Sequence, residues 1–514
     1  MFKAATLRVF LTLHTWTGIC AGLALFVAFY AGAITMFHGE LHGWEKRPTT
    51  QIVQDDDGTA LVAALHAKYP EARNNFAIQP ATDESPTPYA WWIDKSGQWQ
   101  HASLAELRGE AHDDGASVIS ELVNELHYTL GIPGVGIYLM GIVSMLYGVA
   151  LISGVIIHLP TLMKDLFALR VGKNLKRMWQ DAHNVVGILS LPFHVIFAVT
   201  GTVLCLSLVI MATFNTLAYN GKLAAETNRV MGHGVVRKPT GEAAPMLSPM
   251  QLVEHARTVQ RDFVPVWIAF ENYGDRAAFV EVRGETPGAL GTYGGITVDA
   301  STGEILTVQV GGQRDANHAL LAGVYGLHFG SYGGFAVRVL YFVLGLMGAL
   351  LFYSGNLLWI ESRRKRQQAH QTGPVRFMAR LTVGVCFGLA AGIAAALIAN
   401  QIAIAVGGNI GLSERVACFG TWLACFIWAF VRSPARASFE LPYFAAALSL
   451  AVPVVNIALR GGTIAAGGHD ASAFIVIDVM SAALAAGLYA LGRAARRRAR
   501  DGQPNSVWAL RPAT

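Results

Sequence analysis

The chain has 514 residues, of which 53% are hydrophobic and only 14% are charged, and its mean hydropathy is +0.40. This composition excludes an ordinary soluble globular protein. The formal net charge of +5 does not indicate a nucleic-acid partner, because the basic residues cluster between apolar runs in the pattern typical of membrane topology.

Eight apolar runs are each long enough to cross a hydrocarbon core of about 30 Å as a helix. Polar and apolar residues do not alternate within these runs, which favours helices over a closed β-barrel. The predicted fold is therefore mainly α, a polytopic membrane protein with about eight transmembrane helices. The runs lie at approximately residues 10–37, 135–158, 184–212, 335–360, 377–404, 415–431, 440–459 and 472–492.

Two polar segments, at about 43–126 and 216–318, interrupt the apolar runs, and each is predicted to form a small α/β unit. In the first, residues 59–69 have helical periodicity that stops at Pro70, and residues 89–94 have the composition of a strand. In the second, Pro249 stands in the first turn of a predicted helix. Strands are predicted after it at 264–271, 277–283, 296–298 and 304–308, with a turn at 299–303.

The first four apolar runs contain a duplicated helix pair, which two alignments without gaps support. His14 and His183 are each followed by a glycine four residues later and by another eighteen residues later. His127 and His328 each follow a leucine and precede a glycine by twenty-seven residues. Agreement at so many fixed offsets indicates a true repeat. The glycines are Gly18 and Gly187, Gly32 and Gly201, and Gly154 and Gly355.

The two copies are predicted to run in the same direction, which relates them by a pseudo-twofold axis along the membrane normal. Such an axis places His14 opposite His183 at the inner face and His127 opposite His328 at the outer face. Two facing imidazoles are what a bis-histidine haem b requires, so the repeat predicts two haems. A transition-metal ion held by the same histidines is the alternative ligand.

Three further residues are candidates for contact with a haem. Gly18 and Gly187 lie on the same helix faces as His14 and His183, and a missing side chain there would let a porphyrin approach the backbone. His194 lies eleven residues after His183, on the same face and near the middle of the membrane. Because Leu25 stands at its position in the first copy, His194 is a secondary candidate ligand or a residue that packs against the macrocycle.

Basic clusters precede the first run and follow the second, fourth, sixth and eighth runs, so the positive-inside rule predicts cytoplasmic termini. The inner and outer histidine pairs are then expected to lie more than about 20 Å apart. The last four runs lack the His–Gly pattern, and their notable polar residues are Asn400, Asn456 and Asp478. These runs could dock a partner, hold a quinone or stabilise the core.

The segments 13–18, 125–127, 182–187 and 326–330 resemble the PepSY-associated transmembrane family over about residues 1–365. The polar segments resemble its PepSY domains, which would be periplasmic. The family includes haem-containing inner-membrane reductases of ferric siderophores. The resemblance therefore implies a duplicated four-helix haem-binding core in a bacterial inner membrane, and a haem-dependent reduction of ferric siderophore iron on the periplasmic side.

The leading hypothesis is a dihaem b-type protein in the lipid bilayer that passes electrons from a cytoplasmic or membrane donor to a ferric siderophore. One alternative is a siderophore or metal transporter, and another is a membrane-anchored PepSY binding or regulatory module. The absence of a nucleotide-binding fingerprint assigns any flavin or nicotinamide chemistry to a partner. The predicted organisation is helix 1 at 1–42, PepSY-like domain 1 at 43–126, helices 2 and 3 at 127–212, PepSY-like domain 2 at 213–318, helix 4 at 319–365, and four further helices with a basic tail at 366–514.

Overall fold

The structure is a computed structural model that describes residues 3–45, 58–81, 87–109, 117–160, 170, 174–223, 235–365, 371–465 and 471–510. The chain forms two compact units. Unit 1 comprises Met1–Arg47, Asp114–Ser207 and Val339–Thr514, and unit 2 comprises Pro48–Asp113 and Leu208–Arg338. Several residues of the predicted basic clusters, among them Lys164, Lys173 and Arg366, lie outside the described residues.

The described elements are mostly helices. In chain order the α-helices are α1 (Ala4–Thr35), α2 (His38–Glu45), α3 (Thr59–Lys68), α4 (Leu104–Arg108), α5 (Ile119–Thr129), α6 (Gly136–His158), α7 (Leu175–Leu189), α8 (Leu191–Leu217), α9 (Pro249–Val259), α10 (Ala316–Phe329), α11 (Gly334–Ser362), α12 (Gly373–Val406), α13 (Ile410–Val431), α14 (Pro434–Ala465) and α15 (Ala471–Asp501). The strands are β1 (Asn75–Gln79), β2 (Tyr89–Ile93), β3 (Trp99–Ser103), β4 (Val264–Glu271), β5 (Phe279–Glu285), β6 (Tyr293–Asp299) and β7 (Ile305–Gln309). Short 3₁₀ helices occupy Pro70–Asn74 and Ser331–Gly333.

Eight of the described helices are long and apolar enough to cross a membrane, namely α1, α6, α8, α11, α12, α13, α14 and α15. They coincide with the eight predicted runs, so the polytopic membrane architecture is confirmed. One boundary differs, because the run predicted at 184–212 is divided at Ser190 between α7 and α8. Pro192 explains the break, since a proline lacks the N–H that would continue α7 and clashes with the preceding turn.

Unit 1 is a helical bundle in which α1 packs against α5 and α6, and α12 packs against α13 and α14. The contact between α12 and α13 is close because glycines line it. A Cβ atom on Gly388 would lie 2.6 Å from the Trp422 ring, and one on Gly392 would lie 2.6 Å from the Cys418 carbonyl oxygen. Small residues at four-residue spacing let two membrane helices approach in this way. The last four spans are therefore a well-packed part of the bundle.

Unit 2 is built around one antiparallel sheet of seven strands in the order β3-β2-β1-β4-β5-β6-β7. Strands β1 to β3 come from the first polar segment and β4 to β7 from the second. The two segments meet where β1 pairs with β4 and Phe76 lies opposite Phe270, with their rings stacked at 4.7 Å. Two separate small units were predicted, whereas in the structure the two segments share one sheet and one hydrophobic core.

Most of the predicted elements of unit 2 are present near the predicted bounds. The helix at 59–69 is α3, and the helix that begins at Pro249 is α9, where Ser248 and Gln251 form a reciprocal N-terminal cap. The predicted strands are β2 and β4 to β7. Strands β1 and β3 were not predicted, and neither was α4.

Candidate functional site

His14 and His183 face each other in unit 1, one from each copy of the repeat. Their ring centres are 6.1 Å apart and their planes are 77° from parallel. Both side chains are half-buried. Two imidazoles on opposite sides of one metal, each bonded at about 2 Å, have ring centres about 6 Å apart. The separation is therefore the one that an axial histidine pair needs.

Each of these rings is oriented by the partner helix of its own copy. His14 Nδ1 lies 2.8 Å from the Ala150 carbonyl oxygen on α6, and His183 Nδ1 lies 3.1 Å from the Leu351 carbonyl oxygen on α11. Ala150 and Leu351 are equivalent positions of the repeat. Because a carbonyl oxygen only accepts, each Nδ1 carries the proton and donates it, which leaves the Nε2 lone pair of each ring for a ligand. Metal-bound histidines in proteins are commonly oriented in this manner.

Serine and glycine residues complete the surroundings of both rings in the same way. Ser153 Oγ and Ser354 Oγ each lie 3.4 Å from the nearer Nδ1 atom. A Cβ atom on Gly154 would lie 3.1 Å from the His14 ring, and one on Gly355 would lie 3.3 Å from the His183 ring. The Ser-Gly pairs that marked the repeat in the sequence therefore make room for the two imidazoles.

The glycines predicted to pack against a haem have different surroundings. A Cβ atom on Gly18 would meet nothing within 4 Å, and one on Gly187 would lie 3.5 Å from a Leu351 methyl group. Open space beside Gly18, one turn from His14, is compatible with the predicted approach of a flat group. Gly154 and Gly355, and not Gly18 and Gly187, are the glycines that lie against the imidazoles.

His127 lies near the end of α5 and is held against α1. Its Nδ1 lies 2.8 Å from the Ala28 carbonyl oxygen, and a Cβ atom on Gly32 would lie only 2.6 Å from that nitrogen. The Nδ1–H again donates to a backbone carbonyl, so Nε2 is the remaining ligand atom. Ala28 follows His14 by fourteen residues of α1, which corresponds to about 21 Å along the helix. The predicted separation of two histidine levels is consistent with this spacing.

His328 occupies the corresponding place in the second copy, near the C-terminal end of α10 in unit 2. The helix ends at Gly330, whose backbone is left-handed with φ 63°, while α5 ends at Leu130 with φ 58°. Both histidines thus stand in the last turn of a short helix that precedes a membrane span. The pairing of His328 with His127 stays a prediction.

His194 is fully buried and both of its ring nitrogens are hydrogen-bonded within the protein. Tyr147 Oη lies 2.5 Å from Nδ1, and Ser190 Oγ lies 2.9 Å from Nε2. Ser190 Oγ donates to the Val186 carbonyl oxygen, so it accepts from Nε2–H, and the Tyr147 hydroxyl donates to Nδ1. With no lone pair left for a metal, His194 fits the packing role better than the ligand role.

An aromatic cluster surrounds His194 between the level of His14 and the level of His127. Phe29 is at its centre and fills space that a side chain on Gly348 would occupy, since a Cβ atom there would lie 2.3 Å from the Phe29 ring. The cluster contains residues of both copies, but its rings do not stand at equivalent positions of the repeat. The rings within 6.4 Å of Phe29 are those of Tyr147, Phe193, His194, Phe197 and Phe352.

Two buried carboxylates lie at the start of α5, and neither was predicted from the sequence. Glu414 of α13 is completely buried and accepts from Val118 N at 2.7 Å, from Ser117 Oγ at 2.6 Å and from Asn400 Nδ2 at 2.7 Å. Asn400, a polar residue noted in the sequence, thus joins α12 to α13 and to α5. The signal that could have identified Glu414 is an acidic residue near the start of an apolar run.

Glu45, at the end of α2, is the second carboxylate. It accepts from Ser120 N and from Ser120 Oγ, each at 2.7 Å, and contacts His42 Nδ1 at 2.7 Å. The Asn400 side chain also donates to the Glu45 backbone carbonyl at 3.2 Å. Asn400 therefore joins the two carboxylate residues in one hydrogen-bonded network. This network fixes α5, the helix that carries His127.

No group of three or more His, Cys, Asp or Glu side chains within the described ranges could hold a metal ion by itself. Among the described residues, the donors that His14 and His183 bring together are their two imidazoles. A bare metal ion usually needs four or more ligands, which two imidazoles do not supply. Two imidazoles suit a metal whose other positions are already filled by a macrocycle.

Comparison with known proteins assigns the chain to a family. The family described as "PepSY-associated TM region" matches residues 11–362, more than half of the chain. A Pseudomonas aeruginosa protein with the name "Uncharacterized protein PA4219" is 29% identical over 307 residues, which are 55% of this chain and 73% of that protein. The family match ends with α11, so α12 to α15 lie beyond it. The chain belongs to the PepSY-associated transmembrane family.

Proposed function

We propose that the chain is a dihaem b-type electron-transfer protein that reduces ferric siderophore iron. His14 and His183 would be the axial ligands of one haem, and His127 and His328 those of the other. The observation that supports this most strongly is the facing pair His14–His183. Each imidazole comes from a different copy, the ring centres are 6.1 Å apart, and each Nδ1 donates to a backbone carbonyl.

A purely structural contact between these histidines explains the arrangement less well. Each Nδ1 is bonded within its own copy, so the two rings do not hydrogen-bond each other through those atoms. Two copies of one motif, each with the same carbonyl, serine and glycine around its ring, bring two imidazoles together, each with a lone pair left on Nε2. A shared ligand between them accounts for both the symmetry and the spacing.

The protein residues would hold, orient and separate the haems, and the haem iron would carry single electrons when bound. The carbonyl oxygens of Ala150, Leu351 and Ala28 fix the ring orientations and raise the basicity of the opposite nitrogens. The aromatic cluster around Phe29 excludes water from the region between the two histidine levels. A dry, closely packed middle prevents the leakage of protons and ions across the bundle.

The direction of electron flow follows from the charge pattern. Basic residues at both termini and after alternate spans support a topology in which the His14–His183 end would lie at the cytoplasmic face and the PepSY segments in the periplasm of a bacterial inner membrane. Electrons would enter from a cytoplasmic or membrane donor near His14 and His183. They would leave near His127 and His328, where a ferric siderophore in the periplasm would accept them.

Proteoliposomes test the reductase function directly. Electrons are supplied on one side of the membrane, and a ferric siderophore with an impermeant ferrous-iron chelator is placed on the other side. We expect ferrous iron to be trapped with the wild type and with His101→Ala, because His101 is exposed on the edge strand β3. We expect at least tenfold slower reduction with His14→Ala and His183→Ala.

Two results of that experiment would contradict the proposal. Equal rates in all four proteins would remove the histidine pair from the electron path. Uptake of the intact ferric siderophore into the vesicles without any electron donor would identify a transporter instead.

A further inference from the structure

A cleft beside the His183 half of the pair is not explained by the proposed function. It lies in unit 1, is partly open, and contains a cavity of about 60 Å³. The helices that enclose it are α7, α11, α12, α14 and α15, so three of the last four spans contribute to it. The C-terminal segment completes the wall with Trp508, and that segment folds back so that Leu510 N donates to the Ala499 carbonyl at 2.9 Å.

The walls of the cleft are aromatic. Trp179, Tyr353, Phe387 and Trp508 line it, and the Trp179 and Tyr353 rings meet edge to face at 6.4 Å. Tyr353 also meets Phe387 at 5.5 Å. Such a set of rings provides flat apolar surfaces for a planar ligand, because aromatic rings pair by stacking and by edge-to-face contact.

One cation, Arg498, lines the same cleft. Its guanidinium lies 5.4 Å from the centre of the Trp179 ring, and Nη2 lies 3.3 Å from Met178 Sδ. These contacts are with uncharged groups and occupy few of the five N–H donors that a guanidinium has. Arg498 can therefore donate to an oxygen atom of a ligand that stacks on the aromatic wall.

A buried carboxylate, Glu361, interacts with two of the residues that line the cleft. Glu361 of α11 is only 5% exposed, and its Oε1 atom has no hydrogen-bond partner among the described residues. Its Oε2 atom lies 3.7 Å from Arg364 Nε. Its charge also interacts with Arg498, and its side chain interacts with Trp508. A carboxylate with an unused oxygen beside a half-buried cation is placed to accept a proton from a bound group.

The cleft adjoins the proposed haem ligand. Trp179 precedes His183 by four residues of α7, which corresponds to about 6 Å along the helix. Tyr353 is next in sequence to Ser354, whose Oγ lies 3.4 Å from His183 Nδ1. The first copy has no such wall, since Ile152, which corresponds to Tyr353, is 63% exposed. The last four spans therefore add a lined cleft to one side of a symmetric pair.

We propose that this cleft binds a membrane quinol, which is the electron donor of the protein. A quinol headgroup is flat, apolar on both faces and carries oxygen atoms at two opposite ends, which fits an aromatic wall that includes one cation, Arg498. This inference rests on the proposed function, since it identifies the donor for the same electron path.

The reaction balances with the groups named. Oxidation of the quinol to the quinone releases two electrons and two protons. The electrons pass one at a time towards His14 and His183, and each reduces one ferric ion at the far end of the path. Glu361 Oε1 takes the first proton, and water at the open side of the cleft takes the second. Arg498 donates to the ligand oxygen in both the quinol and quinone forms.

Binding is tested with decylubiquinone and the full-length protein in detergent micelles. Quinones quench tryptophan fluorescence, and Trp179 and Trp508 line the cleft, so we expect saturable quenching. Arg498→Gln should weaken binding by about 10- to 100-fold through the loss of a charged hydrogen bond. Arg500→Gln is the matched control, because Arg500 is exposed on the same helix, and its affinity should equal that of the wild type. Tyr353→Leu removes one aromatic ring of the wall, so it gives a second variant if Arg498→Gln fails to fold, and we expect severalfold weaker binding.

Electron entry is tested by anaerobic mixing with decylubiquinol while the visible absorption is recorded. Glu361→Gln should slow reduction by quinol at least tenfold but leave decylubiquinone affinity and reduction by dithionite unchanged. Unsaturable quenching, or equal affinities in the Arg498, Tyr353 and Arg500 variants, would overturn the quinol site. A protein without haem that still binds decylubiquinone through Arg498 would contradict the proposed function and leave the binding site intact, so the two failures are distinguishable.

Discussion

The Glu414 carboxylate in α13 accepts a hydrogen bond from the Val118 N–H at 2.7 Å, at the start of the helix whose other end carries His127. The first N–H groups of a helix have no partner within the helix and attract negative charge. Glu45 accepts from Ser120 N in the same turn. Two carboxylates from distant parts of the chain thus fix α5, and one of them belongs to the spans beyond the family match.

Replacement of Glu414 should affect the His127 end of the bundle alone. Glu414→Ala removes a cap that is worth about 1 kcal/mol. It also removes the acceptor of Ser117 Oγ and one acceptor of Asn400, which keeps its bond to the Glu45 carbonyl. We expect a redox titration followed by visible absorption to show a shift in one of two haem potentials. Glu414→Gln retains an acceptor oxygen and should give a smaller shift, while the exposed control Glu254→Ala should give none. Equal shifts in both potentials would contradict a local effect.

Two glycine variants distinguish an open site from a filled one. A Cβ atom on Gly18 meets no protein atom within 4 Å, so Gly18→Ala should leave the helix as stable as the wild type. If a porphyrin occupies that space, the variant will change the absorption of the haem at His14. Gly32→Ala should instead displace His127, whose Nδ1 would lie 2.6 Å from the new atom, and change the other haem. An unaltered spectrum in both variants would contradict the assigned haem positions.

The role of His194 can be tested by giving the second copy the residue of the first. His194→Leu reproduces Leu25 and removes hydrogen bonds to Tyr147 and Ser190, so we expect a loss of stability of about 1 to 3 kcal/mol. Because both ring nitrogens of His194 are occupied in the protein, haem content should not change. Loss of one haem from this variant would make His194 a ligand after all.

The stability of the sheet in unit 2 should fall in mild acid because of His66. This residue packs against the rings of Phe76 and Tyr273, and its burial, with a smaller effect of Arg73, lowers its pKa from 6.5 to about 4. Between these values the unfolded chain binds the proton and the folded unit does not, so stability decreases as the pH falls from 6.5 to 4. The loss should approach about 3 kcal/mol.

Hydrogen exchange of strand β4 in the full-length protein, measured at several urea concentrations, reports this change. His66→Leu cannot bind the proton and should show a flatter dependence on pH between 6.5 and 4. Identical pH profiles for the variant and the wild type would show that another group causes the acid sensitivity.

The sequence contained more information about the histidine pairs than about their surroundings. Fixed offsets from His14 and His183 survive in the chain itself, so the repeat and its four histidines could be predicted without coordinates. The contacts of those rings depend on which helix lies opposite, which explains why Gly18 was named as a packing position while Gly154 and Gly355 make the contacts.

Features that combine distant segments were not predictable from local patterns. The pairing of β1 with β4 joins residues almost two hundred positions apart, and β1 is a short strand without clear alternation. The cleft at Arg498 needs five helices and the C-terminal segment together. Local periodicity predicts each helix but not which side chains of several helices meet.

The central claim is that His14 and His183 bind one haem between them. The most direct measurement is the haem content of the purified full-length protein, with its reduced-minus-oxidised visible spectrum, in the wild type, His183→Ala and His101→Ala. We predict two haems with b-type bands in the wild type and in His101→Ala, and one haem in His183→Ala. A folded wild-type protein without haem, or a His183→Ala variant that retains both haems, would contradict the account.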